Sequence, residues 1–401
     1  MKRFGWILVV LMMASPAWAA KKVTVQQLKD LLVSLQQAKK TDLEVATALK
    51  QIELAEELTV PMKNNLANLL PLVNDSAGLL STEQIYDLEA RSALLAPPAS
   101  DLPSTPAPDA AAQKALLDKT FDYAAKTYAQ LPQLTATKTT IRFQDNMEVV
   151  KASSGMQGGA VYGNDPNFVL ANQFYHYINS IEKPVAFVNG AEKADAEKDK
   201  TRWGQNGQIA LFGQGPVLSN VLLEAQAAGK ISWLRWETVN GKTASVYAFS
   251  VDKKKSRYSV NYCCFPNTEQ AGLLRYSAPT SPGNLHPTAS GNMQTNTTYD
   301  QNFKATVPYH GEIFVDTDTG IVVRLITQAE FKTSDVVHQE DQRIDYGPVT
   351  VGAKPLILPV KTFINTEVVP NGDSGSGKYS TRHTLFTAEY KDYQPAGTAQ
   401  K

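Results

Sequence analysis

Residues 311–331, GEIFVDTDTGIVVRLITQAEF, constrain the fold of this chain more than any other stretch, because two apolar runs flank one tight polar turn. Ile313, Val315, Ile321, Val323 and Leu325 supply β-branched and apolar positions, residues 316–320 supply turn chemistry, and Arg324, Gln328 and Glu330 fall on the alternate face. A hairpin with one dry face follows. The pattern recurs on both sides. Residues 232–239 and 243–251 flank Asn240-Gly241, both of which tolerate the positive φ of a type I′ turn. Further strands are expected at 135–143, 174–181, 184–188, 258–265, 336–346, 356–367 and 379–390, with a charged turn at 191–200 and a Gly/Ser turn at 371–377. Residues 266–299, rich in Pro, Ser, Thr, Asn and Gly, read as a long loop. So many alternating runs predict one large, strongly curved antiparallel sheet.

The first part of the chain carries a different period. Val25, Leu28, Leu31, Leu32 and Leu35 recur at helical steps, and Leu43, Ala46, Leu49, Ile52, Leu54 and Leu58 continue them, with Asp42 as the expected N-cap. Residues 81–84 offer another helix start leading to Ile85 and Leu88. Residues 96–112, APPASDLPSTPAPDAAA, then read as a Pro-rich linker. A helix is expected over 113–130, with Leu116, Leu117, Phe121, Ala124, Ala125 and Tyr128 on one face and Leu131-Pro132 ending it; another covers 213–229. The predicted class is α+β. A small helical domain spans 20–95, the linker 96–112, and a β domain with helices 113–395.

Residues 1–19 have the charged start (Lys2, Arg3), short apolar core and Ala-Trp-Ala ending of a secretory signal peptide cleaved after Ala19. The apolar core is too short for a membrane anchor, the alternative. Export to the periplasm or beyond is the expectation. No later window is apolar enough to span a bilayer. Lys and Arg number 39 against 39 Asp and Glu, so the basic stripe that a nucleic-acid backbone requires is missing.

Few residues suggest chemistry. The five histidines, His176, His286, His310, His338 and His383, are never spaced as ligand pairs, so neither a metal nor another cofactor is expected. Asp316, Asp318 and Gly320 imitate the start of a calcium loop, but Ile321 and Val323 stand where more oxygen ligands are needed; turn chemistry is the better reading. The cysteines are the neighbours Cys263 and Cys264, readable as two thiols on opposite faces of a strand or as a strained vicinal disulfide. Residues 155–163 are glycine-rich without the Lys-Ser/Thr of a phosphate loop, and Ser76, Ser153 and Ser376 sit in no nucleophile elbow. No enzyme is indicated. Trp233, Trp236, Phe249 and Phe314 are the candidates for lining an apolar binding hollow, with core as the plainer reading.

The stretches LKDLLVSLQ, IELAEELT, LLAPPA, TFDYAAKTYAQLPQLTATKTTIRF, ISWLRWETVNGKTASVYAFSVDKKKSRYSVNYCC and YHGEIFVDTDTGIVVRLITQAEF together resemble a family of uncharacterised secreted bacterial proteins. The helix followed by a long meander also resembles the lipoprotein-carrier half-barrel of the LolA and RseB type. That resemblance implies a curved sheet wrapped around helices, with a hollow for acyl chains; the helical region and proline linker depart from it. The expected function is a non-enzymatic periplasmic protein binding a lipid, lipoprotein or other apolar ligand in the concave face. A protein-interaction or envelope-sensing module built on the helical region is the rival, and a secreted hydrolase comes third.

Overall fold

The structure is a computed structural model. It describes residues 21–73, 76–128, 131–145, 175–188, 190–193, 210–211, 217–266, 300–335, 337–352, 354–368 and 382–396. Residues 1–20, which include the expected signal peptide, the glycine-rich stretch, Ser153, His286, most of the expected long loop and Ser376 lie outside the described residues.

The first unit is helical, as its periodicity predicts. It runs through β1 (Lys21–Val23), α1 (Val25–Gln37), α2 (Asp42–Lys50), β2 (Ile52–Leu54), α3 (Val60–Ala67), β3 (Leu72–Val73), β4 (Ser76–Ala77) and α4 (Leu79–Ser92). Leu28, Leu32, Val45, Leu49, Leu66, Ile85 and Leu88 form its core, each full burial worth about 1.5–3 kcal/mol. Two expectations are corrected. Ile52 and Leu54 belong to a strand, because they alternate with Glu53 and pair in parallel with Lys21 and Val23. Asp42 does not cap its own helix: Thr41 does, in a capping box with Glu44. The Asp42 carboxylate instead accepts the Leu80 and Ser81 amides at 3.0 Å, capping α4 from a distance in place of Gly78, which has no side chain to do so.

The rest of the chain folds into α5 (Ala110–Tyr128), β5 (Leu134–Asp145), β6 (Tyr175–Val188), β7 (Ala191–Glu192), β8 (Ala210–Leu211), α6 (Leu218–Ala228), β9 (Ile231–Val239), β10 (Lys242–Val251), β11 (Ser259–Pro266), β12 (Asp300–Thr306), β13 (Tyr309–Asp316), β14 (Val322–Ala329), β15 (Val337–Val351), β16 (Lys354–Val368) and β17 (Arg382–Pro395). Ten strands make one open antiparallel sheet in the order β7-β6-β5-β17-β16-β15-β14-β13-β10-β9, and β12-β11-β8 form a smaller one. The two expected strands at 174–181 and 184–188 are one, since Pro184 sits in β6 opposite Thr137. Its missing N–H is tolerated there because β7 pairs only with Phe187 and Val188, leaving that edge of Pro184 unladdered.

The anchoring hairpin is β13–β14. Asp316 Oδ1 accepts from the Asp318 and Thr319 amides (3.0 and 2.9 Å) and the Thr319 hydroxyl (2.9 Å), and Gly320 takes φ 74°, so this carboxylate organises the turn locally. At the β9–β10 turn Asn240 (φ 51°) and Gly241 (φ 79°) both adopt the left-handed region. Gly241→Val is expected to cost about 1–3 kcal/mol, read as a lower denaturant midpoint, because a β-branched residue is disfavoured there even though open space surrounds the site.

At about 4.8 Å per strand a flat sheet of this width would span roughly 43 Å, too broad for two helices to cover. A single core nevertheless joins Val185 and Phe187 near one edge to Ile231 and Trp233 at the other, through Leu116, Phe121, Val221, Leu222, Tyr247, Tyr309 and Ile313. The sheet therefore curls around α5 and α6 as a half-barrel. Its other face receives the helical unit: Ala90 and Ala93 pack on Phe143, Phe363 and Leu385. Between the two faces the Pro-rich segment passes the β9 edge, where Trp236 Nε1 donates to the Pro106 carbonyl (2.8 Å). Asp109 then caps α5 through the Ala112 amide (2.7 Å), which starts that helix at Ala110, inside the Pro-rich segment.

Candidate functional site

Alternation along each strand gives the sheet two chemically different faces. On the face beneath the helical unit, Arg235 (β9), Phe314 (β13), Arg324 (β14), Arg343 and Asp345 (β15) and Lys361 and Phe363 (β16) line up through consecutive ladders. The buried Arg343 donates to Glu57 Oε1 (2.5 Å), the Ala93 carbonyl (2.9 Å) and both oxygens of Asp345 (3.0 and 2.9 Å). Arg324 bonds Asp345 (2.7 Å) and approaches Glu57 and Glu237 (3.4 Å each), while Arg235 bridges Glu237 and Glu312. Phe314 and Phe363 lie under these cations. A second knot ties Lys361 and Lys63 to Glu89 of α4 (2.9 and 3.0 Å). Glu57 and Glu89 come from the helical unit, so the charges join it to the sheet. This is fastening: every strong hydrogen bond is spent between protein groups.

Burial acts against the charge on Asp345, but the Arg324 and Arg343 guanidiniums and their hydrogen bonds hold its carboxyl well below the usual carboxylate range. Glu237 goes the other way, because burial outweighs the attraction of Arg235 and pushes its carboxyl up. The signs differ accordingly. The depressed Asp345 contributes stability that is complete above its unfolded pKa of 3.8 and is lost as pH falls below it; the raised Glu237 contributes stability at low pH that is lost as pH rises through its folded value. Between about pH 5 and about pH 3 the urea midpoint should fall, and Asp345→Asn should flatten that fall.

The helix-bearing face holds the second polar region. Gln342 on β15 faces Thr327 on β14. Thr362 stands opposite Ile344, and Thr384 opposite Thr366, which itself faces Glu340. Arg142 on β5 faces Phe386 and stacks on its ring at 5.3 Å. All these side chains are buried. Gln342 is 1 % exposed, yet neither its Nε2 nor its Oε1 has a partner, and the hydroxyls of Thr327, Thr362 and Thr384 have none. Two phenols serve carboxylates at the margin: Tyr258 Oη donates to Glu340 Oε1 (2.5 Å) and Tyr309 Oη to Glu224 Oε2 (2.9 Å). Burial, helped by the Glu224 charge and its hydrogen bond, pushes the Tyr309 phenol up. The floor is continuous with the main core through Ile344 and Leu325.

The four aromatic candidates divide between these regions. Trp233 and Trp236 make an edge-to-face pair (5.7 Å) at the β9 edge, with Trp233 Nε1 bonded to Ser245 (3.0 Å) and Trp236 engaged by the Pro-rich segment. Phe249 is core, against Tyr309. Phe314 lies on the opposite face under Arg235 and Arg324, so the four do not share one hollow. His310 is paired with Glu330 (3.0 Å) at the surface, and among the described residues no group of three or more His, Cys, Asp or Glu could hold a metal ion. Cys263 and Cys264 lie in β11 beside a bulge; their side chains lie outside the described residues. No helix among the described residues is long and apolar enough to cross a membrane. Sequence reasoning missed the Gln342 floor, and the signal was present: β15 carries polar residues on both faces of a strand flanked by two others, which is a buried polar surface rather than a solvated one. Comparison with protein-family models, curated proteins and solved structures finds no match for this chain.

Proposed function

We propose that the chain is an exported, non-enzymatic binding protein that holds a lipid, a lipoprotein acyl group or another amphiphile on the concave, helix-bearing face of its sheet. The observation that carries the reading is Gln342, whose amide is buried with neither end bonded. Leaving a buried polar group unsatisfied costs about 1–3 kcal/mol, so a ligand that supplies the partner gives a physical reason to keep one. Apolar side chains surround the amide on the same face, Ile344 on its own strand and Ile364 and Phe386 on the next two. The ligand that fits joins an apolar body to a hydrogen-bonding end. Cleavage after Ala19 and residence in the periplasm belong to the same reading, on the strength of the charged, apolar and small-residue succession in residues 1–19.

Equilibrium titration with a fluorescent acyl chain tests it: saturable binding near about one probe per chain is expected. Probe that partitions without saturating contradicts it. The rival reading, a module that docks an envelope protein through the helical unit, has its own support in Leu43, Leu72 and Leu79, which are 65 %, 73 % and 70 % exposed. Leu79→Asp that abolishes capture of an envelope partner while acyl-probe binding stays absent would favour it.

A further inference from the structure

Resting on that reading, we infer that the floor formed by Thr327, Gln342, Thr362 and Thr384 is a subsite for an uncharged polyhydroxylated group, such as the glycerol or sugar head of a neutral lipid or a free sugar, and that it disfavours phosphate. The four side chains are 1–2 % exposed. They share one face of four consecutive strands: Gln342 is directly opposite Thr327, and on the next two strands Thr362 lies two residues to one side of that cross-strand row and Thr384 two residues to the other, with Ile364 and Phe386 in the row itself. Their unpartnered atoms include a donor, Gln342 Nε2, an acceptor, Gln342 Oε1, and three hydroxyls that can do either. Vicinal hydroxyls match that set because each can donate to one neighbour and accept from another. A phosphate dianion only accepts, and would leave Gln342 Oε1 without a donor.

Charge argues the same way. The ionisable groups disposed on this face among the described residues are Arg142, Lys138 and Lys183, the last directly opposite Lys138, against Glu340, Glu224 and Glu192. Lys138 is committed to Glu192 (3.0 Å), which also accepts from Tyr390 Oη (2.9 Å). Three cations against three carboxylates leave the surroundings without the positive excess that a desolvated phosphate needs. Recognition by buried hydrogen-bonding groups is selective because the wrong ligand leaves them unpaired.

Calorimetric titration of the purified chain with octyl glucoside below its micellar concentration, octyl phosphate and glucose separates the contributions of head and tail. Octyl glucoside should bind at least about tenfold more tightly than octyl phosphate, and Gln342→Leu and Thr384→Val should each remove most of that preference. Neither variant removes a hydrogen bond that exists in the fold, so the thermal midpoint should hold or rise while binding is lost. Glucose binding as tightly as octyl glucoside, and lost in Gln342→Leu, would support the subsite but assign it to free sugar, against the amphiphile reading. Octyl phosphate binding equally well overturns the subsite alone. Octyl glucoside affinity unchanged in both variants also overturns it, and no binding by any of the three ligands overturns subsite and amphiphile reading together.

Discussion

Replacing Arg343 by alanine should lower the unfolding free energy by about 3–5 kcal/mol, because the variant keeps two buried carboxylates and removes the cation they share. The Arg343 side chain is 2 % exposed and its partners Glu57 and Asp345 are 4 % and 8 % exposed, so water cannot take its place without opening the contact between the helical unit and the sheet. The loss also strips the cover from Phe363, on whose ring the guanidinium rests at 5.1 Å. The control is Lys391→Ala. Its pair with Glu182 is of similar length, 3.0 Å, but both side chains are more than half exposed, and solvent screening leaves the urea midpoint of this variant close to that of the wild type. Equal urea midpoints for the two variants would mean that the helical unit is not fastened through Arg343.

Gln342→Leu should act in the opposite direction and stabilise the ligand-free chain by about 1–3 kcal/mol, since it replaces an unbonded buried amide with an apolar group of similar size. Few core substitutions in a natural protein are expected to be favourable, and those that are tend to cost function. Chemical denaturation of wild type and variant, both stripped of ligand by refolding, provides the measurement. A loss of stability would show that the amide has a partner in the folded chain, which removes the main support for the binding site.

Much of the fold is legible in the residues. Asn240-Gly241 and the Asp316–Gly320 turn announce their hairpins because turn chemistry is local, and the leucine period of residues 25–35 gives α1 for the same reason. Long-range pairing is not legible. Asp42 looks like the cap of its own helix, and only the tertiary arrangement, which brings Leu80 and Ser81 to it, reveals which helix it caps. Ile52 and Leu54 fit a helical stripe as well as a strand until Lys21 and Val23 arrive beside them. The expectation of one dry face fails for a related reason. Arg324 does fall on the alternate face, but that face is buried under Glu57 and Ala93, and no pattern in a single strand distinguishes a charge facing water from one facing a distant carboxylate. The aromatic candidates are divided between faces because side-chain type says nothing of face: Phe249 and Phe314 lie on neighbouring strands and point to opposite sides. Gln342 is the converse, a residue of ordinary type whose interest lies entirely in what surrounds it.

Occupancy of the helix-bearing face is decided most directly by native mass spectrometry of the chain recovered from the compartment that receives it, wild type beside Gln342→Leu. A solvent-extractable amphiphile near about one per chain on the wild type, and a bare chain for the variant, is the expected result. The bare mass of the chain for both proteins, under conditions that preserve other lipid complexes, would contradict it.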